Sequence, residues 1–269
     1  MRKLRIVLMS LVAAILVGCG TTSTVPITGR KQTLMVSDGE VLSLANQQYQ
    51  QFMQSAKKST NAQNTAMVQR VGQKLANAVT QYLNANGLGS EVQNYAWEFN
   101  LVNDKQVNAW CMPGGKIVVY EGLLPVTQDE ASLAIVLGHE IAHAIAKHSA
   151  EQMSNQIKQQ YGTQIGAQVL GALGMGQNTQ SIVQAIAQQG FSFANLKYSR
   201  DHENEADHIG LIIAAMAGYN PQVALTFWQR MSAASTNQTA EFLSDHPSDA
   251  TRISNISKWI PEAQQYYRK

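Results

Sequence analysis

Few cysteines, little excess charge and no long apolar segment set the first limits on this chain. It has two cysteines in 269 residues, and 20 basic residues against 18 acidic ones. This near balance gives no basis for binding nucleic acid, and the sequence contains no internal repeat. The N-terminal apolar run, residues 6–17, is shorter than the roughly 20 residues that span a bilayer. A permanent membrane-spanning anchor is therefore the weaker interpretation of that run.

The N-terminus resembles a bacterial lipoprotein signal, because three basic residues precede the apolar run and residues 16–19 close it with Leu-Val-Gly-Cys. The resemblance implies a signal peptide at residues 1–18 and a lipid on Cys19. Cleavage would remove three basic residues and no acidic one, leaving 17 basic and 18 acidic. We expect a periplasmic, lipid-anchored protein, and Gly20 favours the outer membrane over the inner one. Only Cys111 would then remain, which excludes an intramolecular disulfide.

The rest of the chain is interpreted as one domain behind a tether. Residues 19–36 contain Thr, Pro and Gly without periodicity, and we expect them to link the lipid to a single domain at residues 37–269. An S-x-x-E capping pattern at the start of that domain predicts a helix over about residues 38–55. A continuous apolar face predicts a second helix over about residues 62–85.

Between residues 95 and 121 the apolar period changes to that of strands, and the pattern predicts a small sheet with a hairpin. We expect one strand to form the edge along a cleft, where a polypeptide can add as an extra strand. The alternative is a hairpin that only covers the neighbouring helix. No His–Asn pattern supports a cysteine protease, so the cysteine here is interpreted as a buried strand residue. The predicted edge strand consists of Asn108, Ala109, Trp110, Cys111 and Met112.

The most specific pattern is H-E-x-x-H, formed by His139, Glu140 and His143 within an apolar stretch. Residues four apart on a helix lie about 40° from each other, so both imidazoles face one point and Glu140 stands beside them. Burying such groups without a metal or a partner is costly. The pattern predicts two zinc ligands and a general base on a buried helix. A T-x-x-E capping pattern at Thr127 places that helix at about residues 128–149.

A third ligand is expected on another buried helix, with a fourth position left for water. Glu203 and Asp207 are four residues apart and share a helix face. Glu205 lies about 200° from Glu203, so the two glutamates cannot both face the metal. We choose Glu203 as the ligand and expect Asp207 to accept the second N–H of a ligating histidine. The alternative is a solvated acidic first turn.

Together these residues resemble the gluzincin metallopeptidases, which include the CAAX prenyl protease, HtpX, the mitochondrial Oma-type protease and the BepA-like and LoiP-like lipoproteins. The resemblance implies an α+β, mainly α, zincin-like fold with a small sheet beside the HExxH helix. It also implies polypeptide substrates and one Zn²⁺ per chain, with Glu140 as general base. The implied zinc ligands are His139, His143 and Glu203. The matching segments are residues 108–109, 112–120, 139–143, 203–207 and 246–252.

Three interpretations of His246 stay open. Pro247 would begin the last helix, which places the imidazole at a helix N-terminus where its neutral form is favoured. The resemblance to BepA-like members implies that His246 is a removable fourth ligand that blocks water at rest. The alternatives are a hydrogen bond to the tetrahedral intermediate and a plain N-cap. Arg252 is expected to brace this loop or an acidic group near the site.

Residues 150–198 are predicted to form two helices, interpreted either as an ordinary helical hairpin or as a mobile lid over the cleft. His148 lies about 140° from His143 on the same predicted helix, and we expect a structural role for it. His202 and His208 are expected to be surface or supporting groups.

The combined prediction is a zinc metalloendopeptidase that hydrolyses periplasmic or outer-membrane proteins, for example in quality control. Its partners are expected to be misfolded or envelope polypeptides, and the membrane through the N-terminal lipid. The alternative is a lipid-anchored, chaperone-like assembly factor whose proteolysis is silent or conditional.

Overall fold

The computed structural model describes residues 21–161, 179–234, 246 and 250–267. Helices predominate over short strands, which confirms the expected α+β, mainly α class. In chain order the elements are β1 (Thr21–Thr24), β2 (Lys31–Leu34), α1 (Asp38–Ser55), α2 (Ala62–Ala85), α3 (Gly89–Val92), β3 (Glu98–Val102), β4 (Ala109–Met112), β5 (Lys116–Tyr120), a 3₁₀ turn (Glu121–Leu123), α4 (Leu124–Thr127), α5 (Glu130–Ile145), α6 (His148–Tyr161), α7 (Thr179–Gln188), α8 (Arg200–Met216), α9 (Val223–Ala234) and α10 (Ala250–Tyr266).

Several expectations concern residues outside this description. They are the signal peptide with Cys19, the position of Pro247, and the part of the possible lid at residues 162–178. The flanking parts of that segment are the helices α6 and α7. Within the described ranges, no helix has the length and hydropathy of a membrane span.

Residues 21–36 form a docked hairpin rather than the expected tether without secondary structure. β1 and β2 pair antiparallel, and Val25 and Leu34 are buried against the body of the protein. The side-chain amide of Gln32 donates a 2.9 Å hydrogen bond to the carbonyl of Ala146, just past the end of α5. Sequence periodicity misses such strands because they are short and polar, and are stabilised by tertiary contacts.

The two N-terminal helices begin and end where the sequence predicts. Ser37 caps α1, accepting a hydrogen bond from the backbone N–H of Glu40, while the Glu40 side chain bonds back to Ser37. α2 runs from Ala62 to Ala85 and buries one apolar face, including Val71 and Leu75. These helices are predictable because their caps and periodicity are local properties of the sequence.

The small sheet has the strand order β3-β5-β4, with β5 parallel to β3 and antiparallel to β4. Successive side chains of β5 enter two different apolar clusters. Ile117 and Val119 pack with residues of α2, α5 and α8, whereas Val118 and Tyr120 pack with residues of α1, α6 and α7. β4 packs against α5, so the predicted sheet beside the HExxH helix is present.

The HExxH helix is shorter than predicted at both ends. α5 spans Glu130–Ile145, and its N-cap is Asp129, whose carboxylate accepts a 2.7 Å hydrogen bond from the N–H of Ser132. Thr127, the predicted cap, instead ends α4. At the other end, Lys147 adopts φ 56°, a left-handed conformation that separates α5 from α6. The predicted continuous helix over residues 128–149 is therefore wrong.

Two glycines allow α5 and α8 to cross with their backbones in contact. A Cβ on Gly138 would lie 2.8 Å from the carbonyl oxygen of Gly210, and a Cβ on Gly210 would lie 2.7 Å from the nitrogen of His139. Neither position has room for a side chain, since backbone atoms cannot move aside as flexible side chains can. The crossing fixes the distance between the helices at the first HExxH residue.

Gly210→Ala is expected to destabilise the protein by about 1–3 kcal/mol, because the added methyl group overlaps the backbone of α5. Each kcal/mol should lower Tm by about 2–4 °C in a thermal melt followed by circular dichroism. Gly39→Ala in α1 is the matched control, since no atom lies within 4 Å of its added Cβ. A Gly210→Ala chain as stable as wild type would contradict the close crossing.

Candidate metal centre and active site

His139 and His143 lie one turn apart on α5 and point to the same place. Their Nε2 atoms are 3.1 Å apart, and each side chain is only 1% exposed. Burial lowers the pKa of His143 well below its ordinary value, which favours the neutral imidazole. A neutral imidazole offers the lone pair that a metal needs.

Glu203 enters the same cluster from the first turn of α8. Ser199 caps that helix by accepting a hydrogen bond from the backbone N–H of His202. The two carboxylate oxygens of Glu203 each lie 3.4 Å from one of the two histidine Nε2 atoms. Burial opposes ionisation of Glu203, yet the neighbouring imidazoles, including His246, hold its pKa well below the ordinary value. The buried group is therefore a carboxylate.

His246 completes a buried group of four side chains that is suited to a metal ion. Its Nδ1 lies 2.9 Å from Glu203 Oε1 and 3.1 Å from His139 Nε2. One ligand atom from each of His139, His143, Glu203 and His246 lies within 4.8 Å of the others. The three ligand candidates chosen from the sequence thus lie together, and His246, for which the sequence left three roles open, lies beside them although it is more than 100 residues from the motif.

The donor set fits Zn²⁺. Tetrahedral zinc with bonds of about 2.0–2.1 Å separates its ligand atoms by about 3.3 Å, close to the spacing of these nitrogens and oxygens. Within the described part of the chain, the buried atoms Oε2 of Glu203 and Oε1 of Glu140 have no hydrogen bond of good geometry. Positively charged or ring nitrogens stand 3.3–3.5 Å from them. Such unsatisfied carboxylate oxygens are costly unless a cation or water meets them.

Glu140 stands beside the four ligand candidates without joining them. Its carboxylate is buried, and Oε1 lies 3.5 Å from Nε2 of His246. Burial raises the pKa of Glu140 above its ordinary value, against the lowering influence of His246 and His139. A carboxylate with a raised pKa takes up a proton more readily, so Glu140 is suited to accept a proton and return it.

Asp207 and Arg252 contact His139 at Nδ1, the ring nitrogen that faces away from the ligand cluster. Asp207 Oδ1 lies 2.9 Å from His139 Nδ1, so the ring donates its Nδ1 proton there and turns its Nε2 toward the ligand cluster. Burial opposes ionisation of Asp207, but Arg252 and His139 hold its pKa below the ordinary value. The arginine bonds both Asp207 oxygens, at 2.6 and 2.8 Å, and stacks on Trp228 at 3.7 Å.

Arg252 also contacts the backbone of His246. Its Nη1 donates a 3.1 Å hydrogen bond to the carbonyl of His246 and lies 3.3 Å from Glu203 Oε2. The sequence left two roles open for this arginine: it could brace the predicted loop at His246, or it could brace an acidic group near the site. The structure places Arg252 in contact with the carbonyl of His246 and with the carboxylates of Glu203 and Asp207.

The remaining histidines form carboxylate pairs of their own. His202 Nε2 lies 3.1 Å from Glu151, and His208 Nε2 lies 2.7 Å from Glu262 on α10. His148 contacts His143 directly, with 2.9 Å between their Nδ1 atoms. The prediction that His148 lies about 140° from His143 assumed an unbroken helix. The helix is broken at Lys147, so that assumption does not hold.

Tyr198 is a site neighbour that sequence reasoning missed. Its ring stacks on that of His143 with 3.9 Å between centroids and 18° between planes. It lies in an irregular segment before α8, where no periodic pattern or motif marks it. Only the tertiary fold brings it to the candidate metal ligands.

The predicted edge strand lies at an edge of the sheet, as expected. β4 is one of the two outer strands of the three-stranded sheet, and its side chains, from Ala109 to Met112, are buried. Asn108 precedes the strand and is also buried, accepting a 2.8 Å hydrogen bond from the N–H of Ala109. Cys111 is a buried thiol whose pKa burial raises, as expected for a strand residue. The binding of a polypeptide along β4 stays a prediction.

Comparison with known proteins places this geometry in a family context. Residues 62–260 match peptidase family M48. Mitochondrial metalloendopeptidase OMA1 of Schizosaccharomyces pombe is 36% identical over 177 residues, covering 65% of this chain and 50% of the relative. The mitochondrial OMA1 of Homo sapiens is 30% identical over 244 residues, covering 88% and 46%. The beta-barrel assembly-enhancing protease of Yersinia pestis is 28% identical over 190 residues, covering 66% and 38%. The chain thus spans about half the length, or less, of these three relatives.

The comparisons agree with the predicted zinc metallopeptidase class, because M48 peptidases depend on zinc. They contradict the predicted location. Several similar relatives, from fungi, a plant and animals, are mitochondrial enzymes by name. The expectation of a periplasmic, lipid-anchored protein at the outer membrane is therefore wrong. It rested on a local pattern in residues 1–20, which is short and easily matched by other N-terminal segments.

Arg252→Met is expected to destabilise the protein by about 3–5 kcal/mol, because it leaves the buried carboxylate of Asp207 without its cation. Urea unfolding followed by fluorescence measures the loss. Arg70→Met is the matched control, since Arg70 pairs with Glu130 at the exposed surface and should change stability little. Similar losses in the two variants would show that Arg252 is not a buried counter-charge.

Proposed function

Because the chain belongs to peptidase family M48, we propose that it is a zinc-dependent metalloendopeptidase. In this proposal His139, His143 and Glu203 hold one Zn²⁺, and Glu140 is the general base. The observation that carries the proposal is the convergence of these three buried ligand side chains at 3.1–3.4 Å, with Glu140 next to them. Two helices that cross at glycine positions hold that convergence in place.

The chemistry divides between the ion and the carboxylate. When bound by His139, His143 and Glu203, Zn²⁺ would supply a Lewis acid for the scissile carbonyl and would lower the pKa of water toward about 7. Glu140 accepts the proton of the attacking water and then delivers it to the leaving nitrogen. Asp207 keeps the His139 proton on Nδ1, so that its Nε2 faces the site throughout.

We assign the outer edge of β4 to substrate binding. A polypeptide that adds there as an extra strand is held by backbone hydrogen bonds, which demand little of its sequence. Polypeptides that have lost their fold expose backbone for such pairing, so misfolded proteins are a suitable substrate class. A role in protein quality control follows from this mode of binding.

We assign His246 as a removable fourth ligand. Its Nδ1 points at the ligand cluster and lies 2.9 Å from the Glu203 carboxylate, whereas the Nε2 atoms of His139 and His143 each lie 3.4 Å from it. In that position the ring takes the place that an attacking water needs. The geometry favours this role over a plain N-cap, because the imidazole is directed into the site.

A second candidate function is a polypeptide-binding assembly factor with conditional proteolysis. It is favoured by the name of the relatives from Yersinia pestis and Escherichia coli, beta-barrel assembly-enhancing protease. The edge of β4 serves this function as well as hydrolysis. The two candidates differ in whether they require the general base Glu140.

Glu140→Gln is expected to keep one zinc per chain and to lose about 10²–10⁴-fold in casein cleavage, since only the proton acceptor is removed. Glu203→Ala should lose zinc and activity together, because it removes a ligand. Metal analysis and casein cleavage on the same preparations measure both properties. Cleavage at the wild-type rate by Glu140→Gln would refute the assignment of the base.

The same Glu140→Gln chain separates the two candidate functions in cells that lack the protein. Failure to restore the wild-type phenotype supports the peptidase as the working function. Rescue by the inactive chain supports the assembly factor.

His246→Ala is expected to cleave casein severalfold faster than wild type at unchanged zinc content, because the blocking imidazole is gone. The initial rate at saturating zinc is the measurement. His208→Ala is the matched control, since His208 also pairs with a carboxylate but lies on the outer side of α8. A large loss of rate in His246→Ala would instead assign this ring to the transition state.

A further inference from the structure

The second ring nitrogen of His143 has a partner of its own. Nε2 of His143 faces His139 and Glu203, whereas its Nδ1 lies 2.9 Å from Nδ1 of His148. His148 is fully buried at the first residue of α6. Two imidazole nitrogens at this distance form a hydrogen bond only if one carries a proton and the other a lone pair.

The far side of His148 decides which nitrogen carries the proton. Its Nε2 lies 2.9 Å from Oε2 of Glu205 on α8. A carboxylate only accepts hydrogen bonds, so neutral His148 must carry its proton on Nε2 and its lone pair on Nδ1. His143 then donates its Nδ1–H to His148. This arrangement leaves the lone pair of His143 on Nε2, where a metal ligand needs it.

Residues of the N-terminal hairpin hold Glu205 in place. Arg30 Nε donates a 2.7 Å hydrogen bond to Glu205 Oε2, and the Thr28 hydroxyl donates a 2.6 Å hydrogen bond to Oε1. The other Arg30 nitrogens donate to Glu151 on α6, at 2.7 and 3.0 Å. The arginine thus ties α6 to α8 from residues that precede the family match at 62–260.

We propose that Arg30, Glu205 and His148 form a positioning relay that fixes the tautomer and orientation with which His143 holds zinc. The N-terminal hairpin is thereby part of the metal centre. The inference rests on the proposed function, because it takes His143 as a zinc ligand. The relay residues act through His143 and do not contact the substrate.

The relay mirrors the support of the other imidazole. His139 donates to Asp207, which Arg252 backs, and His143 reaches Glu205, which Arg30 backs. The difference is His148, inserted between ligand and carboxylate. The hydrogen-bonded contacts of His139 and of His143 therefore each lead to a carboxylate–arginine pair, and α8 supplies both carboxylates.

Zinc affinity of the full chain, measured by competition with a chromogenic chelator, tests the relay without reference to cleavage. His148→Leu removes the acceptor and should weaken zinc binding by about 10–100-fold. His148→Asn should recover most of this loss, because the amide oxygen can accept the same hydrogen bond from His143. Arg30→Gln, at the exposed end of the relay, should weaken zinc binding in the same direction by a smaller factor.

Two controls accompany the affinities. His208→Leu removes a histidine with an equivalent carboxylate partner outside the relay, and its zinc affinity should equal that of wild type. Thermal melts of the zinc-free chains test whether His148→Leu and His148→Asn are folded to the same extent. A loss of affinity at equal zinc-free Tm assigns the effect to the ligand and not to folding.

Each outcome decides the inference. Weak binding in His148→Leu with recovery in His148→Asn supports it. Wild-type affinity in His148→Leu, or equal weakening in the two variants, overturns it while the proposed function stands. Unchanged affinity in Arg30→Gln removes the hairpin from the metal centre. A wild-type chain that binds no zinc overturns the proposed function first, and the relay with it.

Discussion

The contact between the backbones of α5 and α8 is the constraint on which the metal centre depends. Gly138 and Gly210 remove the side chains that would otherwise separate the helices, and His139 directly follows the point of contact. His139 Nε2 and Glu203 Oε2, from different helices, lie 3.4 Å apart as a result. A metal site tolerates only a few tenths of an ångström of error in its ligand positions. Rigid packing of two helices supplies that precision better than loops do.

The charge balance of the buried centre favours a bound cation. The buried centre contains three carboxyl groups, Glu140, Glu203 and Asp207, against one guanidinium, Arg252. With all three ionised the excess is two negative charges, which a divalent cation neutralises. Desolvation penalises such an excess strongly, and the raised pKa of Glu140 reflects the same penalty. The residues therefore fit zinc through their charge balance as well as through their spacing.

Local signals explain what the sequence could predict. The ligand spacing of H-E-x-x-H, the capping box at Ser37 and the face of α2 depend on residues a few positions apart. The docked hairpin and the break at Lys147 depend on contacts between distant segments. Lys147 adopts its left-handed conformation where its ammonium group bonds Asp38 and Glu91, which no helical pattern records. The supporting contacts of His143 were missed because they arise from that break.

Because of the break at Lys147, one short stretch of α8 supplies supporting carboxylates for both His139 and His143. Asp207 lies four residues after Glu203, on the same helix face, and reaches His139 directly. Glu205 lies about 200° around α8 from Glu203 and cannot point at the ligand cluster. On a continuous α5 helix, His148 would lie about 140° from His143 and could not connect the two. The change of direction after Lys147 turns His148 back between His143 and Glu205, so a carboxylate on the far face of α8 still acts on the metal centre.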